Sequence, residues 1–391
     1  MTPVELRASV SLASIFALRM LGLFLVLPVF ALEASRYPGG DDAAAVGLAM
    51  GLYGLTQAFL QMPYGMASDR FGRKRAIVFG LLVFALGSLV AAMATSLNGL
   101  MAGRALQGAG AISAAVTALL ADQTRDAVRT KAMALVGASI GLMFAVSLVA
   151  APLLAALVGL SGVFALTAVM ALAAVAVVLW ITPPEPVAHQ AAARGNWTQV
   201  FTHVALLRLN LGVYVLHAVQ LAMWMAVPRL LVDAGLSKEH HWWVYLPAVL
   251  ASFLVLGLTL FPLERRGYLR AVFLAAVGLV GLVQLGFWWS ASVSPNLMGL
   301  SGLLFLFFCA FNVLEASQPS MVSRLAPAQL RGTALGVYNT LQSLGLFTGG
   351  MAGGLLLKSF GAPTLFGVCA AAMALWLVLA WPMAAAVGKA P

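Results

Sequence analysis

The chain has 391 residues, is 62% hydrophobic and only 9% charged, and has a mean hydropathy of +0.99. Soluble domains are near half apolar and about a quarter charged, so composition excludes that class and points to a polytopic membrane protein. The net charge of +10 could suit nucleic acid, but the basic residues are scattered through short loops with no basic face or aromatic-interleaved patch. That pattern excludes a nucleic-acid partner and leaves the charge as a determinant of topology.

A membrane span needs about 20 apolar residues. In chain order, cores of that kind lie at 10–32, 43–67, 76–95, 98–120, 132–158 and 161–182, then at 209–232, 243–263, 269–290, 297–322, 332–357 and 364–386. The first run is too long for a signal-peptide core and has no small-x-small cleavage site after it, so it reads as a retained span. Arg36, Arg229, Lys238 and Lys358 fall at one face and Arg19 and Arg104 inside spans, whereas every other one of the 22 Lys and Arg falls at the opposite face. Basic loops stay inside, so both termini are expected in the cytoplasm.

The predicted fold is therefore an all-α integral membrane protein with twelve transmembrane helices in two six-helix pseudo-symmetric bundles. The bundles are 1–182 and 209–391, joined by a cytoplasmic linker at 183–208 that opens with Pro183-Pro184-Glu185-Pro186. Proline stops the sixth span there. Residues 197–207 are expected to form a short interfacial helix. An internal repeat supports two equivalent halves. Asp69-Arg70-Phe71-Gly72-Arg73-Lys74-Arg75 aligns with Glu264-Arg265-Arg266-Gly267-Tyr268-Leu269-Arg270, 195 positions later, and Arg129-Thr130-Lys131 aligns with Arg331-Gly332-Thr333 at an offset of 202.

An ionisable group at a span centre costs roughly 2.5–3.5 kcal/mol on insertion scales, so each one needs a reason. Glu315 is the one carboxylate well inside a span, with Asn312 one helical turn before it on the same face. It reads as a proton carrier or substrate contact, or else as a member of a structural network. His217, with Gln220 nearly one turn later, is a second titratable candidate, against the alternative of a satisfied interior histidine. Arg19 is either a substrate contact or a partner for helix carbonyls. Arg104 reads as an arginine satisfied by helix-1 carbonyls and Gln107, a tie within its bundle. Met223, Trp224, Met225, Trp242 and Trp243 would suit a loosely specific cavity, although most such residues are core or lipid-facing. The glycines of the eleventh span (345, 349, 350, 353 and 354) read as close helix packing. Cys309 and Cys369 offer no disulfide framework or metal spacing.

Between the second and third spans stands Gly65-Met-Ala-Ser-Asp-Arg-Phe-Gly-Arg-Lys74. Its small residues suit a sharp reversal and its charges suit a cytoplasmic loop. The pattern resembles the loop signature of the major facilitator superfamily of secondary transporters. The resemblance implies a conformational lock from Gly65, Asp69, Arg70, Gly72, Arg73, Asp122 and Arg129. Asp122 would pair with Arg73, and Asp69 would sit at the N-terminus of the eleventh helix near Gly332, where a carboxylate is favoured. Gly103-Arg-Ala-Leu-Gln-Gly-Ala-Gly110 resembles the family's R-x-x-Q-G-x-G signature, which implies proton coupling at Arg104. The fifth span has Ala151-Pro152 where antiporters of the family often carry Gly-Pro with following glycines, a partial match. Leu18-Arg-Met-Leu-Gly22, Gly51-Leu-Tyr-Gly-Leu-Thr-Gln57 and Phe311-Asn312 with Glu315-Ala316 resemble the YajR-type branch of bacterial drug:proton antiporters. Members of that branch can carry a soluble C-terminal domain, which a chain ending at Pro391 is expected to lack.

The expected function is proton-coupled export of small amphipathic molecules by alternating access, from a multi-pass position in the bacterial inner membrane. The proton gradient supplies the energy, with no cofactor, no catalytic residues and no metal site, and the protein is expected to work as a monomer. Proton-coupled uptake and translocation of a lipid-like molecule are the nearer alternatives. A membrane-embedded enzyme is the distant one, hinted at only by His240-His241 beside Glu239.

Overall fold

The computed structural model describes residues 1–185, 203–326 and 331–383. Among them, ten helical runs are long and apolar enough to cross a membrane. Two of these, Leu135–Ile181 and Thr333–Ala380, have about twice the length a crossing needs. Each breaks at a glycine of left-handed φ, Gly159 at 66° and Gly361 at 80°. With two crossings in each, the described residues carry the twelve expected.

The positive-φ glycines expose the repeat in the backbone itself. Gly39, Gly72 and Gly159 (88°, 102° and 66°) match Gly235, Gly267 and Gly361 (89°, 84° and 80°), one set in each half. Gly72 and Gly267 are 195 apart and Gly159 and Gly361 are 202 apart, the offsets seen in the sequence. Left-handed backbone is costly for residues with a Cβ, so both copies kept glycine at equivalent reversals. Helix starts repeat too: Ser96 Oγ accepts from Gly99 N, and Asn296 Oδ1 accepts from Gly299 N.

Several elements differ from expectation. The segment from Gly65 to Phe71 is not a loop; it continues helix Ala43–Phe71, and only Gly72 stands between it and helix Arg73–Ala92. One residue in the left-handed region makes the whole reversal, so the helix can run past the apolar core. The first span is divided into Pro3–Phe24 and Leu27–Glu33, with Pro28, which lacks an N–H, at the start of the second piece. The fourth divides into Leu97–Ala109 and Ser113–Asp122. The seventh span begins at Val204, so 204–207 open that span rather than an interfacial helix; residues 197–202 lie outside the described residues. Glu33 is buried and lies 2.8 Å from Arg36.

By contact the chain forms two compact units, Met1–Asp41 with Leu52–Arg194, and Asp42–Gly51 with Gly195–Pro391. In the first unit Leu12, Ile15, Ile77, Leu81, Ile112, Val116 and Leu119 make a fully buried core. In the second, Phe307 stacks on Phe311 at 5.4 Å and Phe287 on Phe366 at 5.2 Å. Leu157, Leu258 and Val378 stay exposed, as a lipid-facing surface requires.

The glycines of the eleventh span serve two neighbours in the second unit. A Cβ on Gly345 or Gly349 would meet the carbonyls of Tyr214 and Ala218, and one on Gly350 or Gly354 would meet those of Gly47 and Ala43. The close approach ends in an ion pair, Lys358 Nζ to Asp42 Oδ2 at 2.7 Å. Asp42 Oδ1 also accepts from Ala44 N at 2.9 Å and so caps its helix. The Lys358 hydrogen bond, helped by those amides, holds the Asp42 carboxyl below its usual range against some desolvation. A depressed carboxylate stabilises the fold above its unfolded pKa of about 3.9, and that contribution is lost as pH falls through the lower folded value. Lys358→Met is therefore expected to lower the thermal midpoint equally between about pH 5 and 8, with the difference shrinking below about pH 4. Unfolding followed by tryptophan fluorescence would check this, and a difference undiminished in acid would refute it.

Candidate functional site

In the second unit three spans bring titratable and amide groups together. His217 comes from helix Val204–Asp233, Glu315 and Asn312 from Leu297–Leu325, and Gln342 from Arg331–Ala380. His217 Nδ1 lies 2.9 Å from Val213 O. A carbonyl only accepts, so Nδ1 carries a proton and Nε2 is the position that can change state. Gln342 Nε2 stands 2.7 Å from His217 Nε2, and Glu315 Oε1 stands 3.3 Å from the same atom. With Gln342 donating, Nε2 is a lone pair and Glu315 Oε1 accepts no hydrogen bond. In the imidazolium form Nε2 would instead donate to Glu315. The histidine side chain is 5% exposed, but Glu315 keeps 34%. Phe311 closes on the imidazole edge at 6.1 Å. Asn312 Nδ2 turns from this cluster to Ser252 Oγ at 2.9 Å, and Tyr338 Oη donates to Gln318 Oε1 at 3.3 Å.

His217 and Glu315 were separate candidates in the sequence, about a hundred residues apart, and the fold makes them neighbours. Gln342 was not singled out. The signal for it was weak: one amide in an apolar run, among several such residues. Met223, Trp224 and Met225 are buried in the core, Trp224 edge-on to Tyr245, and Trp243 is exposed.

The first unit buries two guanidinium groups. Arg19 is fully inaccessible and its Nη2 donates to Tyr53 Oη (2.8 Å), Gln57 Oε1 (3.1 Å) and Gly110 O (3.3 Å), while Nη1 donates to Ser113 Oγ at 3.4 Å. Gly110 sits in the break of the fourth span, where an interrupted helix leaves carbonyls without their usual amides. Here Ile112 N donates to Gly110 O at 2.9 Å, and Arg19 adds a second donor to the same oxygen. Arg104 Nη1 donates to Gln107 Oε1 at 2.9 Å, and Gln107 Nε2 donates to Ser88 Oγ at 2.8 Å. The Arg104 guanidinium also lies over the Tyr53 ring, 4.9 Å from its centroid. Tyr53 thus joins both cations, one through its face and one through its hydroxyl.

At the basic end of this unit Arg73 Nε lies 3.1 Å from Asp122 Oδ2 and its Nη1 donates to Ser68 Oγ at 2.8 Å. Arg70 is exposed, its guanidinium 5.4 Å from the Phe71 ring centroid. Gly65 faces Ala114 at ordinary contact distance, and Gly72 makes the reversal. The side chains of Asp69 and Arg129, and that of Arg331 before Gly332, lie outside the described residues.

The family model described as Major Facilitator Superfamily matches residues 12–350. The inner membrane transport protein YajR of Escherichia coli (strain K12) is 40% identical over 387 residues, which cover 98% of this chain and 84% of YajR. The multidrug resistance protein MdtH of Aeromonas salmonicida (strain A449) is 27% identical over 348 residues, covering 86% of this chain and 84% of its own. Among solved structures, the human organic anion transporter MFSD10 (TETRAN) superposes with a TM-score of 0.72 at 18% identity, covering 97% of this chain and 100% of that one; this likeness is one of fold. A family match across most of the length, paired crossings and reversals in two equivalent halves, and a relative this similar over nearly the whole chain lead to one conclusion: the chain belongs to the major facilitator superfamily, as a transporter of the YajR-like branch.

Proposed function

We propose that this transporter exports small amphipathic molecules in exchange for protons, by alternating access, from the inner membrane of a bacterium with both termini in the cytoplasm. The observation that carries the proposal is the His217–Glu315–Gln342 cluster. A carboxylate 3.3 Å from an imidazole nitrogen, inside a span, forms a site that can take up and release one proton. The 34% exposure of the Glu315 side chain supports access for that proton. Neutralising the pair removes a charge from the membrane interior, and the membrane potential acts on that charge with about 2.3 kcal/mol per 100 mV. The multidrug resistance relative supports an amphipathic cargo. The Arg73–Asp122 pair, with Gly65, Asp69, Arg70, Gly72 and Arg129, would hold one end shut in one state. The protein would work as a monomer, with the proton gradient as its only energy source.

The experiment is proton flux in proteoliposomes of the purified chain, with a pH-sensitive dye inside. Lipophilic cations, dyes, sugars and lipids are added under an imposed pH gradient, then under its reverse. A flux evoked by a lipophilic compound, changing sign with the gradient, is the expected result. A response confined to a sugar or a lipid would overturn export of amphipathic molecules and favour uptake or lipid translocation.

A further inference from the structure

The sixth span ends in a strap held from outside itself. Its last turn, Val177–Ile181, is wound as a π-helix and stops at Thr182 before Pro183 and Pro184. Arg7 donates to Trp180 O and Ile181 O, Lys74 Nζ to Thr182 O, and Gln123 Nε2 to Pro183 O and Pro184 O. Five consecutive carbonyls thereby receive side-chain donors from three other parts of the unit. The next residue reverses the traffic. Glu185 Oε2 accepts from Arg73 N at 3.1 Å and Oε1 accepts from Lys74 N at 2.6 Å.

Those two amides open helix Arg73–Ala92, whose own N-cap is Gly72 and makes no side-chain cap. A helix start leaves its first amides unpaired and carries a partial positive charge, so a carboxylate placed there is favoured twice. The left-handed turn demands glycine at position 72, and glycine has no group with which to cap. The cap is supplied by Glu185, more than a hundred residues away. Its consequence reaches the lock: Arg73 is gripped at its backbone by Glu185 while its side chain bridges Asp122 and Ser68.

The second unit has the same reversal, and among the described residues helix Leu269–Ser292, which follows it, has no side-chain cap. Gly267 has open space where a Cβ would go. Arg270 Nη2 donates to Trp381 O as Lys74 donates to Thr182 O.

We propose that Glu185 is a positioning residue for the lock: it caps the helix that follows Gly72, fixes Arg73 against Asp122, and ties the end of the sixth span to the basic reversal in the first half. This requires alternating access but not proton coupling or any particular cargo.

The test uses the full chain in lipid nanodiscs as wild type, Glu185→Ala, Glu185→Asp, Asp122→Asn and the Glu185→Ala/Asp122→Asn double variant. Hydrogen exchange at the amides of Arg73 and Lys74 reads the cap. Spin labels on cysteines at Arg75 and Tyr268, in a background without Cys309 and Cys369, read the balance of conformations. Glu185→Ala is expected to speed exchange at those two amides by about tenfold, the scale of losing one cap, and Glu185→Asp to restore part of the protection. The label distances are expected to shift in Glu185→Ala in the same direction as in Asp122→Asn, with no further shift in the double variant. Unchanged exchange at Arg73 and Lys74 would overturn the cap. Exchange raised equally along the whole of Arg73–Ala92 would show general loosening and overturn it too. Faster exchange with wild-type label distances would overturn the positioning role.

Discussion

Replacing Glu315 with glutamine is expected to reduce cargo-evoked proton flux by roughly two orders of magnitude, the scale of removing a positioned proton-transfer group, while cargo still exchanges down its own gradient. The amide keeps the size of the carboxyl and can still sit beside His217, so the fold should survive. What it cannot do is exist in two charge states. In the wild type, His217 Nδ1 is committed to Val213 O, and Nε2 is shared between Gln342 at 2.7 Å and Glu315 at 3.3 Å. Protonation of the pair moves Nε2 from accepting the amide to donating to the carboxylate; with glutamine at 315 no such change in charge follows. Gln342→Leu should leave the carboxylate in place but remove the competitor, and is expected to alter the pH profile of transport more than its maximum rate. Proteoliposome flux with the trapped dye measures both. Flux retained in Glu315→Gln would move coupling to His217 alone or to the neighbourhood of Arg104.

Arg19→Met is expected to destabilise the protein by about 3 kcal/mol, because it removes one donor group from four buried acceptors at once and a lost hydrogen bond to a charged group costs ~1–3 kcal/mol. Tyr53 Oη, Gln57 Oε1, Gly110 O and Ser113 Oγ all lose the guanidinium at once. Gly110 O suffers least, since it still accepts from Ile112 N at 2.9 Å. Arg19→Lys should recover part of the stability, as one ammonium can reach some of these oxygens but lacks the fork that reaches all. Thermal unfolding in detergent reads the difference. A stable Arg19→Met protein with weakened cargo binding would instead make Arg19 a substrate contact, the other reading its sequence allowed.

These two residues mark where reading the sequence stopped. Arg19 and Glu315 were conspicuous because a charge inside an apolar run is rare and expensive. Their partners were not, because Gln57, Ser113, Gln342 and a backbone carbonyl look like ordinary residues of a span until the helices are packed. Glu185 was harder still. In the string Pro183-Pro184-Glu185-Pro186 the prolines announce the end of a helix, and nothing local says that the glutamate caps another one.

What the sequence determined by itself was the class of fold, the places of the spans and the equivalence of the halves. A bilayer makes these local properties: every backbone group in a span must be bonded within the helix, so hydropathy over about 20 residues suffices. The reversals were legible for the same reason, since Gly72 and Gly267 occupy a backbone region that excludes other residues wherever they occur. Tertiary structure alone decided the interruptions at Gly110 and before Pro28, the meeting of His217 with Glu315, the double service of Asp42, and the cap from Glu185. Arg19 at Gly110, His217 at Glu315, Lys358 at Asp42 and Glu185 at Arg73 are far apart in the chain, and the worth of such contacts depends on burial and geometry, neither of which is written in any one segment.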